Sequence, residues 1–292
     1  MLDTPQGAIY IFLHYFKPKP NPAAKESSMH RFDEDICTHA LNDPLTLAVR
    51  VTPNWAINGL PNGGYLMALM ANAMLQASEK KAIAIVTTTF ISRCDPAEGR
   101  VKLERIAASS QFERLEAHLY QGERERLRSW GTFIPEEMAC ALHRQEVQAP
   151  SVAPLEDCLP IPQMPGFTLF DHMDVRLDPA CAGWMSGRLA QKSEHKGWAR
   201  FKADRPYDAV ALLLIADAFP PPVYVSQGLA AWVPTIEMSV NIRKKPTGRW
   251  LKCIFRTRFI TCGLMEEDGQ IWDESGELIA ISRQIAQYRV AK

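Results

Sequence analysis

The sequence is poor in the features that announce a cofactor or a charged partner. Its cysteines, Cys37, Cys94, Cys140, Cys158, Cys181, Cys253 and Cys262, are odd in number and contain no CxxC pair. Zinc ribbons and thioredoxin-like redox sites are therefore unsupported, and mostly buried free thiols in a reducing, cytoplasmic setting are expected. No sign of charge dominates, since 33 Lys and Arg face 33 Asp and Glu. That balance lacks the basic field on which non-specific nucleic-acid binding rests, so no nucleic-acid partner is expected. The most apolar stretch near the start, Ala8 to Phe16, is too short for a membrane span, which takes about 20 residues. Phosphate-binding, dinucleotide-binding and nucleophile-elbow motifs are all missing. The seven histidines include no HxxxH pair, and His143 and Glu146 stand alone beside a proline-rich stretch. These residues predict neither a metal nor a cofactor.

What remains is ordinary globular material: 292 residues, 47% hydrophobic and 23% charged, enough for one large domain or two of common size. Residues 1–28 end in KPKPNPAAKESS, which reads as a solvated linker, so an appended N-terminal arm is expected ahead of Met29. A strand that docks on the body is the alternative. A second stretch, residues 149–166, holds Pro150, Pro154, Pro160, Pro162 and Pro165, too many for a regular element. It would link a first body, residues 29–148, to a second, residues 167–292.

Those two bodies repeat one another. Arg93, Pro96 and Gly99-Arg100 find counterparts in Arg243, Pro246 and Gly248-Arg249, with Arg93 and Arg243 lying 150 residues apart. Ala71-Asn72-Ala73-Met74 likewise aligns with Ala216-Asp217-Ala218-Phe219. Order and spacing point to a duplicated unit. Each copy reads as an entering strand, a helix and then long antiparallel strands. The helices are predicted near 63–78 and 206–219. The strands are predicted near 45–52, 83–92, 100–121 (bent) and 124–134, then near 175–188, 235–243, 250–262, 265–272 and 277–290. Both helices are apolar all round, through Tyr65–Ala71 and Ala209–Ala216, so each must be buried on every side. One helix against a long antiparallel sheet, twice over, is an α+β layer architecture.

An apolar helix wrapped by an antiparallel sheet, occurring in tandem, resembles the double hotdog, and the chain is similar to the type II acyl-CoA thioesterases. The likeness is carried by Trp55 and Pro61-Asn62-Gly63-Gly64-Tyr65 in the first half. In the second half it is carried by Ala216-Asp217, Thr235-Ile236-Glu237-Met238-Ser239 and Ser282-Arg283-Gln284. It covers roughly residues 30–290. The resemblance implies an acyl-CoA substrate, no cofactor, and a water that attacks the thioester directly, positioned by an Asp, a Thr or Ser, and a Gln. By position these are Asp217, Thr235 and Gln284, with the acyl chain in an apolar tunnel between helix and sheet. The chain departs from the family at Thr88, where members often carry His, and at Glu237-Met238, where Asp-His is common. A non-catalytic acyl-CoA- or CoA-binding protein of the same fold is the alternative reading.

The residues themselves bear on these roles unequally. Asp217 ends an apolar helical run, and a buried carboxylate there needs partners. A helix C-terminus is also a poor place for an anion, which weighs against a helix end merely solvated by its loop. Strand alternation puts Thr235 with Glu237, Ser239 and Asn241, although a residue at a strand start can turn away from that face. Ser239 is the alternate. Gln284 shares a face with Ala280, Ser282 and Ala286, small side chains that leave room for a ligand; an amide on an ordinary strand rim fits equally. Asn62 reads as the N-cap of a helix opened by Gly63-Gly64. Free amides at that helix start would bind substrate by polarising a carbonyl, or simply mark a tight loop entry. Asn72, the counterpart of Asp217, implies one active site per chain. Remaining edges and faces predict assembly into a homo-oligomer.

Overall fold

The computed structural model describes residues 29–137 and 140–290, so the expected N-terminal arm lies outside the described residues. The first half supplies β1 (Thr38–Ala40), β2 (Thr46–Arg50), helix α1 (Gly63–Ala77), β3 (Ala82–Phe90), β4 (Glu98–Ala108), β5 (Glu113–Gln121) and β6 (Arg124–Ile134). The second supplies β7 (Met173–Leu177), β8 (Ser193–Phe201), helix α2 (Ala209–Ile215), β9 (Thr235–Ile242), β10 (Leu251–Thr257), β11 (Leu264–Asp273) and β12 (Leu278–Gln287). All twelve strands join one antiparallel sheet in the order β1-β2-β4-β5-β6-β3-β9-β12-β11-β10-β8-β7, with the two-residue strand Leu159–Pro160 beyond β7.

The order reads the same from either end, which is the repeat seen in the sequence made into geometry. The seam lies between β3 and β9. Met238 sits opposite Thr88, and the flanking pairs Ser239–Thr87 and Glu237–Thr89 exchange across it. On the inner face lie the two apolar helices. Residues Tyr65 to Ala71 of α1 and Val210 to Ile215 of α2 are all buried. Each helix is covered by its own half-sheet and by the other helix, because α1 and α2 pack on one another. No helix among the described residues is long and apolar enough to cross a membrane.

The helix ends are set by side chains. Asn62 caps α1, accepting from the Tyr65 amide at 3.1 Å. Asp208 caps α2, accepting from the Ala211 amide at 2.8 Å, so this helix starts three residues later than predicted. It also ends earlier, at Ile215 with Ala216 as its cap, which leaves Asp217 just beyond the helix. Two further boundaries differ from prediction. The long strand predicted over 100–121 is a hairpin, β4 and β5, whose turn at residues 109–112 is closed by the Ser109 amide donating to the Phe112 carbonyl and the Phe112 amide donating to Ser109 Oγ. The strand predicted over 175–188 stops at Leu177, and the Asp178 amide makes one last bond to the Lys196 carbonyl at 2.9 Å. The Asp178 carboxylate accepts from the Ala153 and Ala180 amides. That strand also begins earlier than predicted, at Met173, just after His172, which packs against the Trp55 ring at 4.9 Å.

Gly64 is required by the helix crossing. A Cβ there would lie 2.7 Å from the Leu213 carbonyl oxygen, 2.9 Å from that of Leu214 and 2.8 Å from the Asp217 Cβ. Backbone cannot yield as a flexible side chain can, so Gly64→Ala must move one helix off the other. We expect this variant to lose about 1–3 kcal/mol of stability, measured by urea unfolding; a loss under about 0.5 kcal/mol would show that the crossing tolerates the methyl group.

Candidate active site

The start of α1 meets the end of α2, and Asp217 occupies the junction. Its Oδ2 accepts from the Gly64 amide at 2.9 Å and from Asn62 Nδ2 at 2.9 Å. Asn62 Nδ2 also donates to the Asp217 carbonyl at 2.9 Å. One asparagine thus caps its own helix with its oxygen and holds the carboxylate of the other helix with its nitrogen. The positive end of the α1 dipole faces the anion, which resolves the poor electrostatics of a carboxylate at the C-terminal end of α2. Burial still dominates, pushing the Asp217 carboxyl up to about 6 against the opposing hydrogen bonds from Gly64, Asn62 and Gly63. The bonds from Asn62 and Gly64 both land on Oδ2, which leaves Oδ1 as the oxygen available to take a proton from outside.

Thr235 and Gln284 form a pair. Thr235 Oγ1 donates to Gln284 Oε1 at 2.7 Å. Simple alternation would have kept them apart, because Gln284 lies opposite the buried Met238 and Thr235 is an odd number of residues from it. A bulge between Thr235 and Glu237 shifts the phase. The extra residue turns Thr235 onto the inner face, as its position at the strand start allowed. Ser239 stays on the outer face and bonds Thr87 at 2.9 Å, so it is not at this site.

Glu267 was missed by the sequence reading. It lies directly opposite Gln284 on the neighbouring strand. It is buried and within electrostatic reach of Asp217. Burial and the Asp217 charge push its carboxyl up to about 8. The signal was present in β11, where Met265, Glu267, Gly269 and Ile271 share the buried phase; an acid among them is out of place in an inward-facing row. Glu267 thus stands opposite Gln284 and feels the charge of Asp217. Of Gly63 and Gly64, expected to offer free amides to a substrate, Gly64 directs its amide at Asp217. A Cβ on Gly63 would be 3.0 Å from both Asp217 Oδ2 and the Phe90 ring.

The corresponding place in the first half lacks this set. Register carries Gln284 to Ser129, opposite Thr88, and Glu267 to Ala117, opposite Ser129. Ser129 and Thr88 are buried and bonded to each other at 2.7 Å. Asn72, the counterpart of Asp217, donates to the Ile36 carbonyl.

Comparison with known proteins agrees with this architecture. Residues 28–134 match the model of the acyl-CoA thioesterase N-terminal domain, and residues 155–288 match that of the acyl-CoA thioesterase C-terminal domain. An uncharacterised protein of Mycobacterium tuberculosis is 25% identical over 277 residues, covering 84% of this chain and 93% of its own length. Among solved structures, a candidate thioesterase II of Thermobifida fusca superposes with a TM-score of 0.82 at 24% identity, over 91% of this chain and 99% of its own. A hot dog protein of unknown function from Alicyclobacillus acidocaldarius gives 0.80 at 19% identity, over 90% and 100%. An acyl-CoA thioesterase II from Mycobacterium marinum gives 0.70 at 16% identity, over 89% and 99%. At these identities the superpositions establish the fold, a double hotdog.

Two carboxyls whose protons are held more tightly in the fold than in the unfolded chain make stability depend on pH. Their stabilising contribution is full below about pH 4, near the unfolded values. It is lost as pH rises through about 6 for Asp217 and about 8 for Glu267. The wild type is therefore expected to lose stability relative to the double variant Asp217→Asn/Glu267→Gln between pH 5 and 9, read by urea unfolding at each pH. A difference that stays constant over that range is the contrary result.

Proposed function

The chain belongs to the acyl-CoA thioesterase family, and we propose that it hydrolyses an acyl-CoA thioester by direct attack of a water held among Asp217, Thr235 and Gln284. What supports this reading is the Asp217 carboxylate, anchored through one oxygen at the start of α1 with the other left free of those bonds, together with the hydrogen-bonded Thr235–Gln284 pair. A carboxyl with a pKa near 6 is ionised at neutral pH and still basic enough to take a proton in the transition state.

In this scheme the water oxygen bonds to the thioester carbon while Asp217 Oδ1 takes the water proton. Thr235 Oγ1, whose own proton goes to Gln284, accepts the water's second hydrogen. The tetrahedral intermediate then collapses, the carbon–sulfur bond breaks, and the proton held by Asp217 passes to the departing thiolate. The products are a carboxylic acid and free CoA. The Gly63–Gly64 turn serves the substrate by bordering the site and holding the base in place. All seven cysteines are free thiols, which supports a reducing, cytoplasmic setting. Both edges of the sheet end in strands of two or three residues, so a homo-oligomer would form through outer faces rather than by edge pairing.

The test is a panel of short, medium, long and aromatic acyl-CoAs with detection of the released thiol. At least one should turn over, and Asp217→Asn should lower kcat about tenfold or more on it while the variant stays folded. Full activity in Asp217→Asn would remove Asp217 from the mechanism. Thermal stabilisation by CoA with no turnover of any substrate would instead identify a non-catalytic CoA-binding protein.

A further inference from the structure

Glu267 is a buried carboxyl that the water-positioning scheme leaves unused. It points inward from β11, 7% exposed, directly opposite Gln284. Its sequence neighbours are occupied elsewhere: Glu266 accepts from the Arg258 and Phe259 amides, and Asp268 pairs with Arg258 and Arg283. From β10, Arg256 is engaged by Glu194. The charges that bear on Glu267 are therefore carboxyls, namely Asp217 beyond α2 and Glu266 and Asp268 on its own strand. A buried acid with anions around it and no cation paired to it among the described residues favours its neutral form. Burial, the first of these causes, and the Asp217 charge hold its proton up to about pH 8.

The Gln284 amide lies between two partners. Its Oε1 accepts from Thr235, and on the neighbouring strand the buried Glu267 lies directly opposite it. An amide held only at its oxygen can still swing about that bond; a carboxyl beside its other end limits that swing. The duplicated half reinforces the association, because where Gln284 becomes Ser129 and Asp217 becomes Asn72, Glu267 becomes Ala117. The acid is present where the water-positioning groups are present and missing where they are missing.

Building on the thioesterase reading, we propose that Glu267, in its protonated form, is a positioning residue that fixes the Gln284 amide from the side opposite Thr235. Protonation matters as much as contact. A neutral Glu267 leaves Asp217 as the single anion of the site, whereas an ionised Glu267 adds a second negative charge close to where the thioester oxygen becomes an oxyanion. Activity therefore falls as Glu267 loses its proton. The pH profile of kcat/KM rises as Asp217 ionises and falls as Glu267 does.

Two variants and one spectrum test this. Glu267→Ala removes the contact and is expected to lower kcat about tenfold while KM changes less than about threefold. Glu267→Gln keeps an amide in place of the neutral acid. It should recover most of that loss and move the alkaline limb of the profile up by more than one pH unit, which a merely structural role would not do. Infrared difference spectra of wild type minus Glu267→Gln isolate the carboxyl C=O stretch without any need for turnover. The stretch should be present at pH 6.5 and vanish by pH 9, and in an Asp217→Asn background it should vanish at lower pH. A carboxyl already ionised at pH 6.5, or an alkaline limb unchanged in Glu267→Gln, overturns the proposal. If Glu267→Ala does not fold, the Glu267→Gln profile and the spectra decide alone. A wild type inactive on every acyl-CoA overturns the thioesterase reading, while the spectra still decide the protonation of Glu267.

Discussion

The site depends on one electrostatic joint: a carboxylate from the end of one buried helix held at the amide-rich start of another. Asp217 could not sit at the C-terminal end of α2 alone, where the helix dipole opposes it and apolar side chains surround it. The start of α1 supplies the missing compensation through Gly64 and Asn62. The same joint fixes how closely the helices approach, because Gly64 has backbone carbonyls of α2 against it. Helix packing and the environment of the base are thus one structural fact, and a substitution made for either reason alters both.

A second carboxyl shapes this environment further. Asp217 and Glu267 lie in the same desolvated region, so the charge of each raises the cost of ionising the other. At neutral pH such a pair settles with one negative charge between them, on the group with the better hydrogen bonds. Asp217 has Gly64, Gly63 and Asn62 to stabilise its anion, whereas Glu267 has only Gln284. Backbone amides at a helix start therefore decide which of the two acids carries the charge, and no arginine or lysine among the described residues pairs with either.

Much of this could be read from the sequence because it follows from patterns that local physics enforces. Helices with no polar face must be enclosed, and the duplicated spacing around Arg93 and Arg243 fixed the tandem architecture. The family resemblance pointed to Asp217, and its place at the close of an apolar helical run agreed; Asn62 before two glycines read as a cap. What stayed hidden depended on register. Thr235 reaches Gln284 because one extra residue in β9 shifts the alternation, and nothing in Thr-Ile-Glu-Met announces a bulge. The turn between β4 and β5, with Ser109, Ser110, Gln111 and Phe112, lacks the glycine or proline that would have divided the strand. Glu267 was hidden among three consecutive acids, until strand phase separates the middle one from its neighbours. The partner of the Gly64 amide was equally out of reach, since it lies on the other half of the chain.

The chain segment between β6 and β7 makes the two copies, paired at the seam between β3 and β9, into one covalent object. In a symmetric dimer of separate subunits every substitution appears twice, so neither site can lose a residue unless the other does. Once the copies share a chain, each position is inherited separately. Asn72, Ala117 and Ser129 can then settle into ordinary packing and hydrogen bonding while Asp217, Glu267 and Gln284 keep two desolvated carboxyls beside a buried amide. The stability released on the quiet side is available to offset what the charged side costs.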